Sequence, residues 1–389
     1  MPFSPLFPTR RHARWFLAIL ALALLSCSHN TPWLRHESDR PGDTPPPDDA
    51  VRQRILLIGD AGSPKGEGEP VLDRLGEWAG RLPDRTVVIY LGDNIYPHGL
   101  PDVGDPGRGQ AEERLDSQLD PVLASGARAL MVPGNHDWNS GRAGGLPTVR
   151  RQAEYVREKF GYREAYLPEG GCPGPEHIDL PGLRIIALDS HWWLHTHQRG
   201  SGCAAGDESA SLARLDSLLS TAGDRETVVV AHHPLETVGP HGGFFTWKDH
   251  LFPLTLAKGW LYVPLPVIGS LYPISRRFLI RHDQDVFGDR NRHMRHEIGE
   301  VLRRHRPLFY AAGHEHSLQV MEGRDLAEML LVSGCGSFRK RTPVGHRDYS
   351  LFAYGNTGII VVDILKTGEP LLRVVDGASG EVVFERAMR

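Results

Sequence analysis

Short apolar runs alternate with amphipathic segments along most of the chain after residue 53. Six of these runs are rich in β-branched residues, are too short for helices, and end abruptly at Gly, Asp, Asn or His. The runs are RILLIGD (54–60), TVVIYLGD (86–93), RALMVPGNHD (128–137), LRIIALDS (183–190), TVVVAHHP (227–234) and PLFYAAGHEH (307–316). Strands of this kind, separated by helical segments, predict an α/β protein.

Between the runs, apolar residues recur every three or four positions, which predicts amphipathic helices. These segments cover residues 111–123, 149–160, 208–219 and 292–304. From Met329 the pattern changes to strands without helices: MLLVSG, GIIVVDI, LLRVVDG and EVVFER. The last two are joined by a Gly-containing turn typical of a hairpin. This part of the chain predicts an antiparallel edge that completes a second sheet.

One region, at about 250–290, is apolar but irregular. Pro253, Pro264, Pro266 and Pro273 are incompatible with a regular helix or a central strand. We interpret the region as an insertion packed on the body of the domain. Its Trp, Tyr and Leu content leaves two alternatives open, a lid over a site and an apolar surface resting on a membrane.

The N-terminus has the pattern of an export signal. Arg10, Arg11 and Arg14 precede the apolar run WFLAILALALL, which is short for a membrane-spanning helix. The run ends in LLSC (24–27), which resembles the bacterial lipoprotein processing box and implies that Cys27 becomes the lipidated first residue. Leu25 is less usual at its place in that box, so an ordinary cleaved signal and an uncleaved anchor remain open.

We therefore divide the chain into a signal (1–27), a disordered Pro-rich tether (28–50) and one domain (51–389) that contains the irregular insertion. The chain has 389 residues, 40% of them hydrophobic, and a net charge of -4. This charge excludes a dedicated nucleic-acid binder. Cys172 and Cys203 are candidates for a disulfide in an oxidising compartment. We expect an exported protein, anchored through lipid in the bacterial cell envelope; its oligomeric state is left open.

Polar side chains gather where the predicted strands end. They are Asp60; Asp93, Asn94 and Tyr96; Asn135, His136 and Asp137; His232 and His233; and His314 and His316. Each motif alone is common in turns, but the ordered set GD, GDN, GNHD, HHP and GHEH favours one joint site at the carboxyl ends of the strands. Carboxylates, an amide and imidazoles suit hard and borderline cations. Two such ions can bind a phosphoester, generate hydroxide near neutral pH and stabilise the developing charge.

This ordered set resembles the signature of the calcineurin-like metallophosphoesterases. In GDNIYP (92–97), a Tyr three residues after the Asp is similar to the purple acid phosphatase branch, where the phenolate binds ferric iron. AHHPLETVGPHG and GHEHSLQ followed by SGCGSF also resemble that branch, particularly its small tartrate-resistant type. The resemblance covers about 54–338, with the insertion as the main departure. It implies a four-layer α/β sandwich of two mixed β-sheets flanked by helices.

The resemblance also implies two metal ions. A ferric ion would be held by Asp60, Asp93, Tyr96 and His316, and Asp93 would bridge it to a divalent ion (Zn²⁺, Fe²⁺ or Mn²⁺) held by Asn135, His232 and His314. The residue types agree with this division, because a phenolate and two carboxylates favour a hard, highly charged ion and imidazoles suit a softer one. We also expect His314 and His316 to serve different ions of the pair, since alternate residues of an extended segment point the same way.

Three further residues are implied to act in catalysis. His136 would contact the phosphate and protonate the leaving alkoxide, Asp137 would orient His136, and His241 corresponds to an outer histidine of the branch. His233 stands where the branch commonly has Tyr, which puts the role of that Tyr in doubt here. We expect Asn94 to hold the loop.

The predicted function is that of a phosphomonoesterase acting on a small phosphate ester through a metal-bound hydroxide. A phosphodiesterase or nucleotide hydrolase using Mn²⁺ or Zn²⁺ is the second interpretation, because the same ion pair serves both reactions. A third is an inert surface-binding lipoprotein that keeps the fold. The complete set of seven metal ligands argues against it.

Overall fold

The computed structural model describes residues 31–42, 47–64, 68–256, 258–276 and 280–388. Cys27 and the predicted signal lie outside these ranges. Within them, no helix combines the length and the apolar character that crossing a membrane requires.

The described chain forms two mixed β-sheets. Its strands are β1 (Trp33–Leu34), β2 (Val51–Ile58), β3 (Thr86–Tyr90), β4 (Arg128–Met131), β5 (Glu176–Leu180), β6 (Leu183–Ala187), β7 (Glu226–Val230), β8 (Phe309–Ala312), β9 (Leu318–Glu322), β10 (Met329–Ser333), β11 (Ser350–Tyr354), β12 (Gly358–Leu365), β13 (Pro370–Asp376) and β14 (Val382–Ala387). One sheet has eight strands in the order β1-β11-β9-β10-β8-β7-β6-β5, and the other has six in the order β14-β13-β12-β2-β3-β4.

Helices cover the outer faces of both sheets. They are α1 (Pro70–Arg81), α2 (Arg108–Ser125), α3 (Gly145–Phe160), α4 (Ser190–Leu194), α5 (Glu208–Ser220), α6 (Trp247–Leu251), α7 (Leu271–Ser275) and α8 (Asp289–His305). Apolar side chains of α1, α2 and α3 pack on the six-stranded sheet, and those of α4, α5 and α8 pack on the eight-stranded sheet. A third apolar cluster fills the space between the sheets. The predicted four-layer sandwich is therefore confirmed.

Except for β10, which the sequence analysis assigned to the antiparallel edge, the parallel strands are those that the buried apolar runs predicted. In the six-stranded sheet β2, β3 and β4 are parallel, and in the eight-stranded sheet β6, β7, β8 and β10 are parallel. The antiparallel strands β12, β13 and β14 form the predicted edge of the six-stranded sheet. β10, however, joins the eight-stranded sheet, where it lies between β8 and β9.

Part of the segment predicted as a tether lies on the domain. β1 pairs with β11 through Trp33 and Leu34, and the Trp33 ring stacks on His346 with 4.0 Å between ring centroids. Farther along, Asp39 is buried in an ion pair with Arg386. Backbone pairing and this ion pair hold residues whose composition alone predicts disorder.

Two smaller features match the sequence interpretation. Cys172 and Cys203 form a disulfide that joins two loops, and Cys335 is a buried free thiol. The Pro-rich insertion contains short turns and the five-residue helices α6 and α7, without a long helix or a strand in its described part.

Candidate metal centre

The first donors lie beyond parallel strands of the six-stranded sheet. Asp60 follows β2, and Asp93 and Tyr96 follow β3, which pairs with β2 in parallel. The two loops are joined where the Asp60 N–H donates to the Gly92 carbonyl at 2.9 Å. Asn135 follows β4, the next strand of the sheet. Parallel pairing therefore brings these polar side chains to one edge.

The remaining donors lie beyond parallel strands of the eight-stranded sheet. His232 follows β7, and His314 and His316 follow the neighbouring strand β8. Contacts between the sheets join the two sets, because the His314 N–H donates to Asp60 Oδ2 at 2.7 Å. All seven predicted ligands thus lie at one end of the sandwich.

Tyr96, Asp60 and His316 form one group of donors. The Tyr96 hydroxyl donates to Asp60 Oδ1 at 2.8 Å and lies 3.1 Å from His316 Nε2. His316 Nε2 is 3.3 Å from Asp60 Oδ1. These are the three residues, besides Asp93, that the sequence assigned to the ferric ion.

Asn135, His232 and His314 form the second group. Asn135 Oδ1 lies 3.0 Å from His232 Nε2 and 3.1 Å from His314 Nδ1, and the two ring nitrogens are 3.2 Å apart. The other nitrogen of each ring is occupied: His232 Nδ1 donates to the Leu91 carbonyl and His314 Nε2 donates to the Gln284 carbonyl, both at 2.8 Å. These outer bonds orient the inner nitrogens toward an amide oxygen, so that each offers a lone pair to a cation when its ring is neutral, which is the arrangement of metal-binding histidines.

Asp93 lies between the two groups. Its Oδ1 is 3.4 Å from His232 Nε2 and accepts the His136 N–H at 2.8 Å. Ligand atoms of Asp60, Asp93 and His232 all lie within 4.8 Å of one another. Asp93 therefore occupies the position that a bridging carboxylate requires.

The backbone is strained at several of these residues. Asp60, Asp93 and His314 have φ values of 58°, 54° and 67° in the left-handed region, which costs free energy for a residue with a Cβ atom. Glycine is required close by, since a Cβ on Gly313 would lie 2.6 Å from Asp60 Oδ2. The left-handed backbone at these three residues indicates that the loops are shaped for the side chains that they present.

The electrostatics of the group favour positive charge. Asp60 and Asp93 are buried, and in the described structure their ion pairs are made with histidine rings. Burial opposes ionisation of Asp93, but His232 and His136 hold its pKa well below the usual value. Burial likewise lowers the pKa of His232, but Asp93 outweighs it and raises the pKa to about 9. Two buried carboxylates thus attract whatever cation the site can admit.

These observations fit two metal ions. Carboxylate and phenol oxygens dominate the first group, an amide oxygen and two imidazole nitrogens form the second, and one carboxylate lies between them. The chemistry of the donors matches a hard cation beside a softer one. His314 and His316 face different groups, as the spacing of HEH predicts.

His136 lies at the open side of the donor groups, where it lines a cavity of about 450 Å³. Its Nδ1 donates to the Pro97 carbonyl at 2.7 Å, and Ser140 Oγ lies 3.1 Å from the same nitrogen. The ring tilts over Tyr96 with 4.3 Å between centroids. Its Nε2 is 3.9 Å from Asp93 Oδ2.

The structure corrects the role predicted for Asp137. Its carboxylate accepts the backbone N–H groups of Asn94, Ile95 and Gly134 and the side-chain amide of Asn94, rather than bonding to the His136 ring. Asp137 therefore holds the Asn94 loop against the loop after β4. Asn94 has the loop-holding place that the sequence analysis gave it, and Pro97 and Ser140 hold His136.

His241 lies beside His314, with 4.1 Å between ring centroids. Its Nδ1 is 2.8 Å from Asp285 Oδ1, and Asp285 in turn accepts two bonds from Arg276. The last two residues belong to the insertion, and sequence reasoning missed both. Neither follows a predicted strand, which was the signal that marked the other residues of the site.

Two more residues of the site were missed. Gln284 accepts from His233 Nε2 at 2.8 Å through its side chain, so that it fixes His233 as well as His314. The Lys340 ammonium lies 3.8 Å from the centroid of the Tyr96 ring. Lys340 follows the SGCGSF segment, and no spacing rule connects it to Tyr96.

Comparison with known proteins agrees with this geometry. Residues 53–318 match the family model of the calcineurin-like phosphoesterases. No curated protein sequence matches the chain. Among solved structures, it is similar to GAP50, described as the anchor in the inner membrane complex of Plasmodium, with a TM-score of 0.55, 16% identity, and coverage of 87% of this chain and 89% of that one.

Two other structures share the fold. Purple acid phosphatase PPD1 from yellow lupin (Lupinus luteus) seeds has a TM-score of 0.52 and 13% identity, over 86% of this chain and 53% of that one. PhoD has a TM-score of 0.50 and 9% identity, over 87% of this chain and 72% of that one. At these identities the likeness concerns the fold.

Proposed function

The chain belongs to the calcineurin-like phosphoesterase family, and from that premise we propose that it is a dinuclear-metal phosphomonoesterase of the purple acid phosphatase kind. The observation that carries the proposal is the pair of adjacent donor groups on either side of Asp93, with the lone pairs of His232 and His314 converging on Asn135. Buried lone pairs that face one another are stable only when a cation or a proton lies between them.

In this proposal Asp60, Tyr96 and His316 would hold one ion, Asn135, His232 and His314 would hold the other, and Asp93 would be a ligand of both. When bound, the ions supply Lewis-acid polarisation of the phosphate and activation of water. We propose Fe³⁺ in the first position, because a phenol oxygen beside two carboxylates is a set of hard donors. Burial and the carboxylates of Asp60 and Asp93 raise the pKa of Tyr96, so only a highly charged cation would favour its phenolate. A divalent ion, Zn²⁺, Fe²⁺ or Mn²⁺, suits the second.

His136 is the proton donor of the reaction. The Pro97 carbonyl accepts the proton on Nδ1 and fixes the ring, so Nε2 faces the cavity. From there a protonated Nε2 can protonate the departing alkoxide. Two carboxylates position other parts of the site. Asp137 fixes the loop that carries Asp93, and Asp285 fixes His241.

We propose export and lipid anchoring as well. The disulfide between Cys172 and Cys203 supports an oxidising compartment, and the signal-like N-terminus with Cys27 supports attachment to the membrane of the cell envelope. Radiolabelled palmitate incorporated into the wild-type chain and absent from Cys27→Ser would support the anchor. Equal labelling of both would exclude Cys27.

The function is tested by expressing the full chain with iron available. We expect two metal ions per chain including iron, hydrolysis of a chromogenic phosphomonoester that a chelator abolishes, and a visible absorption band that Tyr96→Phe removes. Tyr354→Phe is the matched control, because the Tyr354 hydroxyl also donates to a carboxylate at 2.6 Å, but to Asp376, which is not one of the donor residues. The band should persist in that variant.

Each outcome has a definite meaning. If the protein binds two ions but is colourless, the metals are Mn²⁺ or Zn²⁺ rather than iron, and phosphodiesters are the substrates to assay next. A chain that binds two ions but hydrolyses neither ester would be the inert relative. A chain that binds no metal would contradict the proposal altogether.

A further inference from the structure

The exposed large hydrophobic side chains concentrate in the insertion. Eleven of the thirteen found among the described residues fall between residues 254 and 280. Eight of them define what we call the apolar surface: Leu254, Leu256, Trp260, Tyr262, Val263, Val267, Ile268 and Leu271. Trp260 is 72% exposed and Val267 is 86% exposed. A soluble domain rarely exposes so many large apolar side chains from one segment unless they contact a partner.

The composition of the insertion indicates the chemistry of that partner. From His250 to His282 the sequence has no Asp or Glu, and it contains Lys258, Arg277 and Arg281 in addition to Arg276, which pairs with Asp285 in the cavity wall. Exposed Trp and Tyr together with aliphatic residues and cations are typical of surfaces that bind the headgroup region of a bilayer. The absence of Asp and Glu from this segment favours contact with a negatively charged lipid surface, which attracts Lys and Arg and would repel carboxylates.

The position of the N-terminal strand favours a bilayer over a protein partner. Trp33 stacks on His346, and the neighbouring Gly345 donates its N–H to the Val238 carbonyl at 2.9 Å. A Cβ on Gly345 would lie 2.5 Å from the Phe244 ring, and the next residue, Phe245, contacts Tyr272 of α7. Strand β1 therefore begins close to the base of the insertion.

The predicted lipid attachment site, Cys27, is close to β1 along the chain. Cys27 precedes Trp33 by six residues, which can span at most about 20 Å. A lipid attached there keeps β1, and with it the base of the insertion, near the membrane.

The insertion also forms one wall of the candidate active site. Tyr272, Arg276, Ile280, His282 and Gln284 line the cavity opposite His136 and Asp93. Arg276 is held by two bonds to Asp285, at 2.7 and 2.8 Å. One segment thus carries the apolar surface outside and the cavity wall inside, so a substrate can contact both.

We propose that the apolar surface binds a lipid bilayer and that the cavity beside it takes phosphomonoesters of membrane lipids. The substrate class rests on the proposed phosphoesterase function, whereas the bilayer contact does not. In the reaction, the oxygen of water bonds to phosphorus, the P–O bond to the lipid breaks, and the lipid oxygen takes a proton. The products are a lipid alcohol and inorganic phosphate.

The test uses the full chain in vesicles of phosphatidylcholine and phosphatidylglycerol that contain phosphatidate. Val267→Asp introduces a charge into the apolar surface, and Val103→Asp is the matched control, because Val103 is 87% exposed but lies in another loop. We expect Val267→Asp to lower phosphatidate hydrolysis by at least about tenfold, since a charge is expelled from the bilayer. Hydrolysis of a soluble chromogenic ester should stay within about twofold, and Val103→Asp should change neither rate.

A second measurement detects bilayer contact independently of enzyme activity. In vesicles with brominated acyl chains, the quenched part of the tryptophan emission should fall in Trp260→Phe relative to wild type. The inference is overturned if wild type and Trp260→Phe are quenched equally and phosphatidate in vesicles is hydrolysed no faster than the soluble ester. The proposed function would still stand. Self-association that Val267→Asp abolishes, without quenching of Trp260, would assign the surface to a second copy and equally overturn it. Loss of activity on both esters would contradict the phosphoesterase proposal, and quenching would then decide the bilayer contact alone.

Discussion

His136 differs from the surrounding histidines in what its ring contacts. The inner nitrogens of His232 and His314 face Asn135, whereas Nδ1 of His136 is bonded to the Pro97 carbonyl and its side chain is 26% exposed toward the cavity. A ring held on one side and open on the other can move a proton without binding metal. This distinction leads to a prediction that separates catalysis from metal binding.

We expect His136→Ala to lower kcat by about 10²- to 10⁴-fold, the usual contribution of a general acid. Metal content, measured by mass spectrometry, should not change. Ser140→Ala removes only the hydroxyl that lies 3.1 Å from Nδ1, so a smaller loss of about tenfold is expected. Loss of a metal ion from His136→Ala would show that the ring is a ligand.

Substitution of Asp93, unlike substitution of His136, should reduce the metal content. Because its carboxylate lies between the two donor groups, Asp93→Asn should reduce occupancy of both ions and lower kcat by more than about 100-fold, beyond the loss typical of an outer residue. Asp102→Asn is the control, since that carboxylate is 80% exposed and distant from the donors. Unchanged content of both metals in Asp93→Asn would contradict the bridging assignment.

At the scale of elements, the loop after β4 depends on a close approach between two backbones. A Cβ on Gly134 would lie 2.3 Å from both the backbone N and Oδ1 of Asp93. Gly134→Ala should therefore displace the Asp93 loop, reducing metal content together with activity. The matched control is Gly109→Ala in α2, where an added Cβ meets no atom within 4 Å.

The two alanine variants are compared by metal content and thermal unfolding. Gly109→Ala should leave the metal unchanged and raise stability by up to about 1 kcal/mol, because alanine favours the helix. Full metal content in Gly134→Ala would show that the loop can move without disturbing Asp93.

The elements that the sequence predicted are those whose pattern is local. The strands that end in GD, GNHD and GHEH are buried on both faces, so each is a continuous apolar run. β1 was missed because its two residues are held by pairing with β11 and by stacking of Trp33 on His346, both more than 300 residues away. α1 was missed although Val71, Leu72, Leu75, Trp78 and Ala79 show a helical apolar face, so its signal was present.

The residues of the site divide in the same way, into those that a local sequence pattern reveals and those that it does not. The donor residues are recognisable because each directly follows a strand, and the sheet fixes where strands end. The partner of a buried polar group is not recognisable in this way: Asp137 bonds to Asn94, 43 residues away, and Asp285 bonds to His241, 44 residues away. Such pairs depend on how two loops pack, which no spacing in the sequence encodes.

At the scale of the whole molecule, the donors come from both sheets. Asp60, Asp93 and Asn135 follow strands of the six-stranded sheet, and His232, His314 and His316 follow strands of the eight-stranded sheet. The apolar core between the sheets holds them together along their length, while the loops at this end carry buried charge. A cation that contacts donors from both sheets therefore links them where the core cannot.

Metal binding should accordingly stabilise the fold as well as enable turnover. For an ion at 100 times its dissociation constant, the expected stabilisation is about 2.7 kcal/mol, because the unfolded chain lacks the assembled site. That corresponds to a rise of roughly 4 °C in Tm for a domain of this size. We would compare chelator-treated protein before and after metal is restored, by differential scanning fluorimetry, with the disulfide intact. The rise should be smaller in a His232→Ala variant, which loses a donor to the second ion while Asp60, Tyr96 and His316 remain for the first. A rise of equal size in that variant would show that His232 is not a metal ligand.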